Sequence, residues 1–575
     1  VTRLRAARAI QGGLALAFAA FALVSPAPAH ADDLSFELPF IGTTTFSMTS
    51  TTTLRYRGNN YDFNRYDDDF GSLYQRFDLA LQSDELRLEV RLDAFLPTTI
   101  FEDTRCPPGD EVLCYVTWDV RPERIALRWE HDEWLVEAGD SQLVLGRGIA
   151  LAFRKVDLLA VDNALRGGHV RYDGTNVDAR LHVGLANPQN QDPITLGIVA
   201  EPEDLIIAGE VELTIPGDVP LTIGLHGDRV WFMDDPLVAF EHRTVDVAGW
   251  SFEAPALLDG RLAVYGEANG LRRTYTFDGR DEQEFGRAVY ASAQVQGDEL
   301  TVLVEWADYE NYLVAPSTTE AQASRIYSAA PTLEYEGPQL LRGVGNRRGG
   351  AVRIDYAFLP GPWSFSVNEA LYGFGEHGRD PWDGTLVSHT WGSLARRQEF
   401  GDEYVWSTNV VLGYRHEQFL HDADASSAQI GVGSLDRRMV HGQVEVTVGS
   451  GEHSFDVSVD HRVETWFLGF DDYRDFQVGG ASITYSWGVP LALTVALRWS
   501  DFRLDELMRR EQPEYSYNVL GGAWYPSLEA RWSFDPGTFL KAFVGQTPGG
   551  QICSGGVCRT VPAFEGFMLQ FVGRL

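Results

Sequence analysis

Six charged residues crowd the stretch LGRGIALAFRKVDLLAVDNALRGG, residues 145–168: Arg147, Arg154, Lys155 and Arg166, beside Asp157 and Asp162. Cations and anions set this closely on an apolar background do not read as acid–base catalysis. They read as a transverse electric field of the kind that sorts small ions and polar solutes at a narrow waist. Only two lysines occur in the chain, Lys155 and Lys541, and one of them lies here. Ile149, Leu151, Phe153, Leu158 and Leu159 would bury against a wall. Gly146, Gly148, Gly167 and Gly168 would allow sharp bends on either side. Three arrangements are open for this stretch: an inward-folded pore constriction, two strands that run tall, or a patch where a partner docks.

Other chemistry-bearing residues are sparser. Thirteen histidines scatter without an HExxH, and no GxSxG occurs, so no motif argues for an enzyme. His441 and His461 read as wall residues beside polar positions. The acid-rich stretches YDDDF (66–70) and FDDYRDF (470–476) hold carboxylates of the kind Ca²⁺ favours. Neither has EF-hand spacing, solvated loops are the alternative, and no metal site is assigned. Cysteines fall in two close pairs, Cys106/Cys114 and Cys553/Cys558. In an exported chain each pair reads as a local disulfide. Zinc is the other reading, with no CxxC spacing and no His inside either loop to support it. The absence of CxxCH excludes covalently attached haem.

The ends and the charge bound the class. Arg3, Arg5 and Arg8, an apolar run from Gly12 to Val24, and Ala29-His30-Ala31 together read as a signal peptide cleaved between Ala31 and Asp32. A retained anchor is the alternative. With 47 basic against 82 acidic residues, a net charge of −35, nucleic-acid binding is not expected.

The elements that must position these residues are strands. In Leu86–Leu96, the residues Leu86, Leu88, Val90, Leu92, Ala94 and Leu96 share one face, while Arg87, Glu89, Arg91 and Asp93 share the other. The stretch SITYSWGVPLALTVALRWS repeats the pattern, with Arg498 on its polar face. Val444, Val446 and Val448 face Phe455, Val457 and Val459 across a GSGEH turn. Eleven tight turns punctuate the chain, from Ser83-Asp84 to Asp535-Pro536-Gly537, mostly about 40 residues apart. Longer polar connections alternate with them, at 61–70, 277–286, 377–384 and 469–476.

Short turns on one side and long loops on the other predict an all-β fold: a transmembrane antiparallel β-barrel of about 24 strands, within 22–26. One barrel domain would span 32–575 behind the signal peptide at 1–31. A β-propeller shares the 40-residue interval but needs four short strands per repeat, where two long ones stand here. The end of the chain, FMLQFVGRL, places Phe567, Leu569, Phe571, Gly573 and Leu575 on one face, as in the closing strand of a barrel. Arg87, Glu89, Arg91, Asp93 and Arg498 cannot face hydrocarbon and are expected to line a wet lumen. A strand already begins near Phe46, leaving no room for an N-terminal plug. The 145–168 stretch would then join strands 5 and 6 as the third outer loop.

Gly139-Asp140, Gly146-Arg147-Gly148, Leu151 and Val161-Asp162-Asn163-Ala164-Leu165-Arg166-Gly167 resemble a signature of DUF6029, an uncharacterised exported family. The resemblance covers about 35 residues well and implies an outer-membrane location with no assigned activity.

The expected function is a passive, porin-like channel of the bacterial outer membrane for small hydrophilic solutes, a monomer bedded in lipid and lipopolysaccharide. The other class is a scaffold that holds a periplasmic or surface partner, with 309–347 as a docking surface or lid. An embedded hydrolase is a third, marked by no local spacing.

Overall fold

Alternation of apolar and polar residues over ten or more positions leaves each strand one greasy face and one polar face. A sheet that closes on itself puts each kind on its own side. In the computed structural model the strands do this. The structure describes residues 34–38, 42–58, 70–97, 118–156, 161–188, 204–233, 242–277, 280–312, 314, 327–334, 345–375, 380–401, 404–419, 436–467, 473–500, 524–548, 550–554, 557–561 and 563–574. The expected signal segment, Ala31, Asp32, Cys106, Cys114 and Asp157 lie outside them.

The wall begins with β1 (Gly42–Arg57), β2 (Phe70–Gln82), β3 (Leu86–Pro97), β4 (Asp119–His131) and β5 (Trp134–Ser141). It continues with β6 (Ala164–Asp173), β7 (Val177–Asn187), β8 (Leu205–Ile215), β9 (Leu221–Phe232), β10 (His242–Ala256), β11 (Leu262–Phe277), β12 (Arg280–Gln296) and β13 (Leu300–Glu310). Then follow β14 (Arg347–Ala357), β15 (Trp363–Phe374), β16 (Thr385–Phe400), β17 (Tyr404–Phe419), β18 (Asp436–Ser450) and β19 (His453–Phe467). The last are β20 (Tyr473–Trp487), β21 (Leu491–Ser500), β22 (Trp524–Asp535), β23 (Thr538–Thr547) and β24 (Phe564–Arg574). Each pairs antiparallel with its neighbours, and β24 pairs with β1 from Gly566↔Arg57 to Arg574↔Thr49, which closes a 24-stranded barrel. A short strand, Leu34–Leu38, continues that edge of β1 below β24.

The valine faces of β18 and β19 meet in the expected register, Val444↔Val459, Val446↔Val457 and Val448↔Phe455. The outer surface is an apolar belt that includes Leu412 (66% exposed) and Leu225 (63%). Trp129, Trp134, Trp363, Trp406, Trp487 and Trp532 ring its short-turn end, where amphipathic aromatics suit a membrane interface. Arg396 lies against two of them, its guanidinium 5.0 Å from the Trp363 ring and 5.3 Å from that of Trp406.

One expectation about the loops changes. The stretch 277–286 is not a long loop: β11 and β12 run tall, and Phe277 pairs with Arg280. Its polar side chains satisfy one another across the ladder, Thr276 to Asp281 at 2.7 Å and Arg273 to Glu284 at 2.6 Å, so acidity did not interrupt the strands. His461 lies in the wall, as expected, and points outward. It shares the outward face of Phe455, Val457 and Val459, and the Trp499 indole donates to it at 3.2 Å.

Nor is the interior uniformly wet. In the outer half of the bore, the inward positions of β7–β16 carry Ala186, Ile206, Ala208, Val230, Val245, Val247, Ala288, Ala307, Ala370 and Val387, all buried in one core. A bare water-filled bore would leave these exposed. Two connections cover them.

Candidate functional site

The first covering connection is the one between β5 and β6, residues 142–163. Its apolar residues cannot stay in water and find the apolar patch of the inner wall. Leu143–Leu145 and Leu151–Phe153 pair as a small hairpin, in register Leu143↔Phe153 and Leu145↔Leu151. Leu145, Ile149, Ala150, Leu151 and Phe153 are almost wholly buried there. Gly146 (φ +56°) and Gly148 (φ +84°) form the tip of this hairpin rather than its ends. Gly167 belongs to β6, packed against the β7 backbone so tightly that a Cβ would lie 1.9 Å from the Val183 carbonyl oxygen.

The tip is held by carboxylates of the wall. The Arg147 backbone N–H donates to Glu267 at 2.9 Å, and that of Gly146 to Glu210 at 3.4 Å. Glu267 also accepts from the Tyr265 hydroxyl at 2.7 Å and from Asn269 at 2.8 Å. Glu210 is paired with Arg180. The Arg147 guanidinium lies over the Tyr265 ring, 4.2 Å from its centroid. Two backbone amides, one cation and two buried carboxylates thus fasten the hairpin to β8 and β11.

The second covering connection is the one between β13 and β14. Its residues 327–334, expected to dock a partner or act as a lid, lie beside the hairpin. Ala152 N–H donates to the Tyr327 carbonyl and Ala329 N–H to that of Gly148, each at 2.8 Å. Tyr327 stacks on Phe153 with centroids 5.1 Å apart, and its hydroxyl donates to Asp204 at 2.6 Å. Farther round the wall Glu334 is clamped: Arg415 donates at 2.8 Å, Tyr372 at 2.7 Å, and His389 Nδ1 stands at 3.2 Å. Burial would raise the Glu334 pKa, but the attraction of Arg415 and the hydrogen bonds outweigh it and hold the carboxyl well below its usual range.

The charges of the 145–168 stretch are spread over several settings. Arg147 is exposed at the tip, Lys155 is exposed, and Arg154 is half-buried. Asp162 pairs with two wall arginines, Arg91 and Arg124, each at 3.1 Å. Arg166 reaches Asp140 at 3.2 Å and the Glu123 carbonyl at 2.7 Å. Asp162 and Arg166 therefore anchor the base of the connection, while Arg147 stands at its far end.

Of the residues expected to line the lumen, Arg91 and Asp93 are buried, paired at 2.8 Å and joined to Tyr74. Arg87 pairs with Glu89, both partly exposed, and Arg498 with Asp460 at 3.1 Å. Many interior charges follow one rule, an arginine and a carboxylate two positions apart on the same face, as in Arg353/Asp355 and Arg397/Glu399. The polar arc of the bore is thus lined by paired charges. Among the described residues no group of three or more His, Cys, Asp or Glu side chains is placed to hold a metal ion. The backbone register pairs Cys553 with Cys558 across the hairpin of Gly550–Ser554 and Val557–Val561.

Glu210, Glu267, Glu334 and Arg415 were not singled out by sequence. Alternation marks Glu210, Glu267 and Arg415 as inward-facing, and Glu334 lies outside the strands; the partners stand 64 to 120 residues away along the chain and leave no local spacing.

No family model matches the chain, and no curated protein matches it. Solved structures resemble it at low identity. The P pilus usher (PapC) translocation pore is 9% identical over 92% of this chain and 99% of its own, with a TM-score of 0.39. The siderophore receptor PirA from Pseudomonas aeruginosa is 7% identical over 92% and 80%, with a TM-score of 0.44. OccAB1 of Acinetobacter baumannii is 12% identical over 71% and 96%, with a TM-score of 0.39. At these values nothing that those proteins bind or carry is transferred to this chain.

Proposed function

We propose that the protein is a channel of the bacterial outer membrane through which small hydrophilic solutes pass passively, narrowed by the inward hairpin at 143–153 and by residues 327–334. A closed wall with an apolar belt outside and paired charges inside suits a lipid bilayer on one face and water on the other. The observation that supports the reading is the fastening of the hairpin tip to Glu210 and Glu267 on the inner wall. In this reading the barrel stands alone in lipid and lipopolysaccharide, without a catalytic step. Kinship with DUF6029 is part of the proposal and rests on the glycine-flanked residues of the same connection.

Planar-bilayer recording with the full chain tests it. A small, steady conductance is expected, and deleting residues 148–152 should enlarge it. A purified, folded barrel that neither conducts ions nor lets sugars swell liposomes would overturn the channel. The interior core favours a second reading, a sealed scaffold, which predicts no conductance and one co-purifying protein partner in stoichiometric amount.

A further inference from the structure

Beneath the base of the inward hairpin, where β6 and β7 form the wall, lies a pocket of about 270 Å³. Leu143, Val144 and Phe153 of the hairpin make one side apolar. Every titratable side chain lining the rest is basic: Arg154, His169, Arg171, Arg180 and His182. We propose that this pocket binds a small organic carboxylate, its anionic end against the arginines and its hydrocarbon part against Phe153 and Val144.

The carboxylates that balance these cations stand behind them. Arg171 donates through Nε and Nη2 to Asp178, at 3.0 and 2.7 Å, and Arg180 uses the same edge on Glu210. Those bonds fix each guanidinium plane. A guanidinium has five N–H donors, so the Nη1 side of each remains for a ligand. An arginine pinned in this way loses little side-chain entropy on binding, which favours a planar, bidentate acceptor such as a carboxylate.

A second observation is independent of the arginines. His169 is only 8% exposed, stacks on His182 with centroids 3.7 Å apart, and has Glu137 3.4 Å from its Nδ1. Its Nε2 is buried without a hydrogen-bond partner among the described residues. Buried polar atoms are rarely left unmatched, and each one carries a desolvation cost. A bound carboxylate oxygen would match it, the ring then donating from both nitrogens, to Glu137 and to the ligand. The pocket volume fits a ligand of benzoate size, whose ring would lie along the apolar side.

The proposal deepens the channel reading by naming a solute class, and it is tested separately from it. The full chain in detergent is titrated calorimetrically with benzoate and with benzamide, its neutral counterpart. Saturable benzoate binding is expected, with benzamide weaker by about tenfold or more, the scale of a hydrogen bond to a charged group. Arg171→Gln and His169→Gln, each shown to be folded by heat-modifiable migration, should each weaken benzoate by a similar factor. Equal binding of the two probes, or undiminished benzoate binding by both folded variants, overturns the site. Conductance without benzoate binding overturns the site and leaves the channel standing. Binding by a non-conducting barrel supports the site and removes the channel.

Discussion

At Glu334 a single carboxylate clamps the far end of a covering segment. Buried, hydrogen-bonded to Arg415 and Tyr372 and 3.2 Å from His389 Nδ1, it holds residues 327–334 to the wall of β15–β17. Removing one partner of a buried ion pair costs about 3–5 kcal/mol. Glu334→Ala should therefore speed amide hydrogen exchange across 327–334 by about two orders of magnitude or more, while the strands keep their protection. The pH dependence follows from the lowered pKa of Glu334. A carboxyl held below its unfolded value of about 4.3 contributes fully above that value. It loses its contribution only as pH falls toward the lower folded value. Exchange in this segment should be unchanged from pH 7 to 5, after correction for the intrinsic rate, and rise only under stronger acid. A steady loss of protection between pH 7 and 5 would show that Glu334 is not what holds it.

At the scale of elements, the inward hairpin depends on a glycine, Gly146, at its tip, where a side chain has no room. Gly146 has φ +56°, and a Cβ there would approach the Glu267 carboxylate to 2.5 Å. Gly146→Val should lift the tip from β11 and raise single-channel conductance toward that of the 148–152 deletion. Gly168→Ala serves as control, because a Cβ at Gly168 meets nothing within 4 Å. Equal conductance in all three proteins would mean the tip does not narrow the path. The elements also show how much of the sequence could be read. All eleven tight turns separate the strands they were expected to separate, because a hairpin turn is written in local Gly, Asp and Pro chemistry. The 277–286 stretch misled because an acid-rich strand end and an acid-rich loop have the same composition. What tells them apart is cross-strand pairing, such as Tyr275 with Glu282 at 2.9 Å.

At the scale of the whole molecule, the two faces of one strand should respond oppositely to the same change. Leu412 lies midway along β17 on the outer belt, 66% exposed, and Asn409 faces the bore beside Glu445. An arginine on a lipid-facing position costs about 2–4 kcal/mol near mid-depth. Leu412→Arg should lower the unfolding midpoint of the barrel in vesicles, in proportion to that cost. Asn409→Arg, able to meet Glu445, should leave the midpoint nearly unchanged. Similar effects of the two would remove the distinction between a lipid-facing and a bore-facing side, and the channel reading with it.

Taken by itself, the sequence determined the closed wall. Period-two alternation, turn chemistry and strand length are local, and 24 such strands leave closure as the way to satisfy every edge. It also marked 145–168 as foreign to that wall, since its apolar residues ignore the alternation, although the last five of these residues, 164–168, belong to wall strand β6. Only the tertiary structure decided where that segment goes. Its position rests on Glu210, Glu267 and Tyr327, residues far along the chain whose nearness is a property of the closed ring. The same closure turned the polar side of β6 and β7 and the apolar side of the hairpin toward each other, making a pocket that neither segment encodes alone.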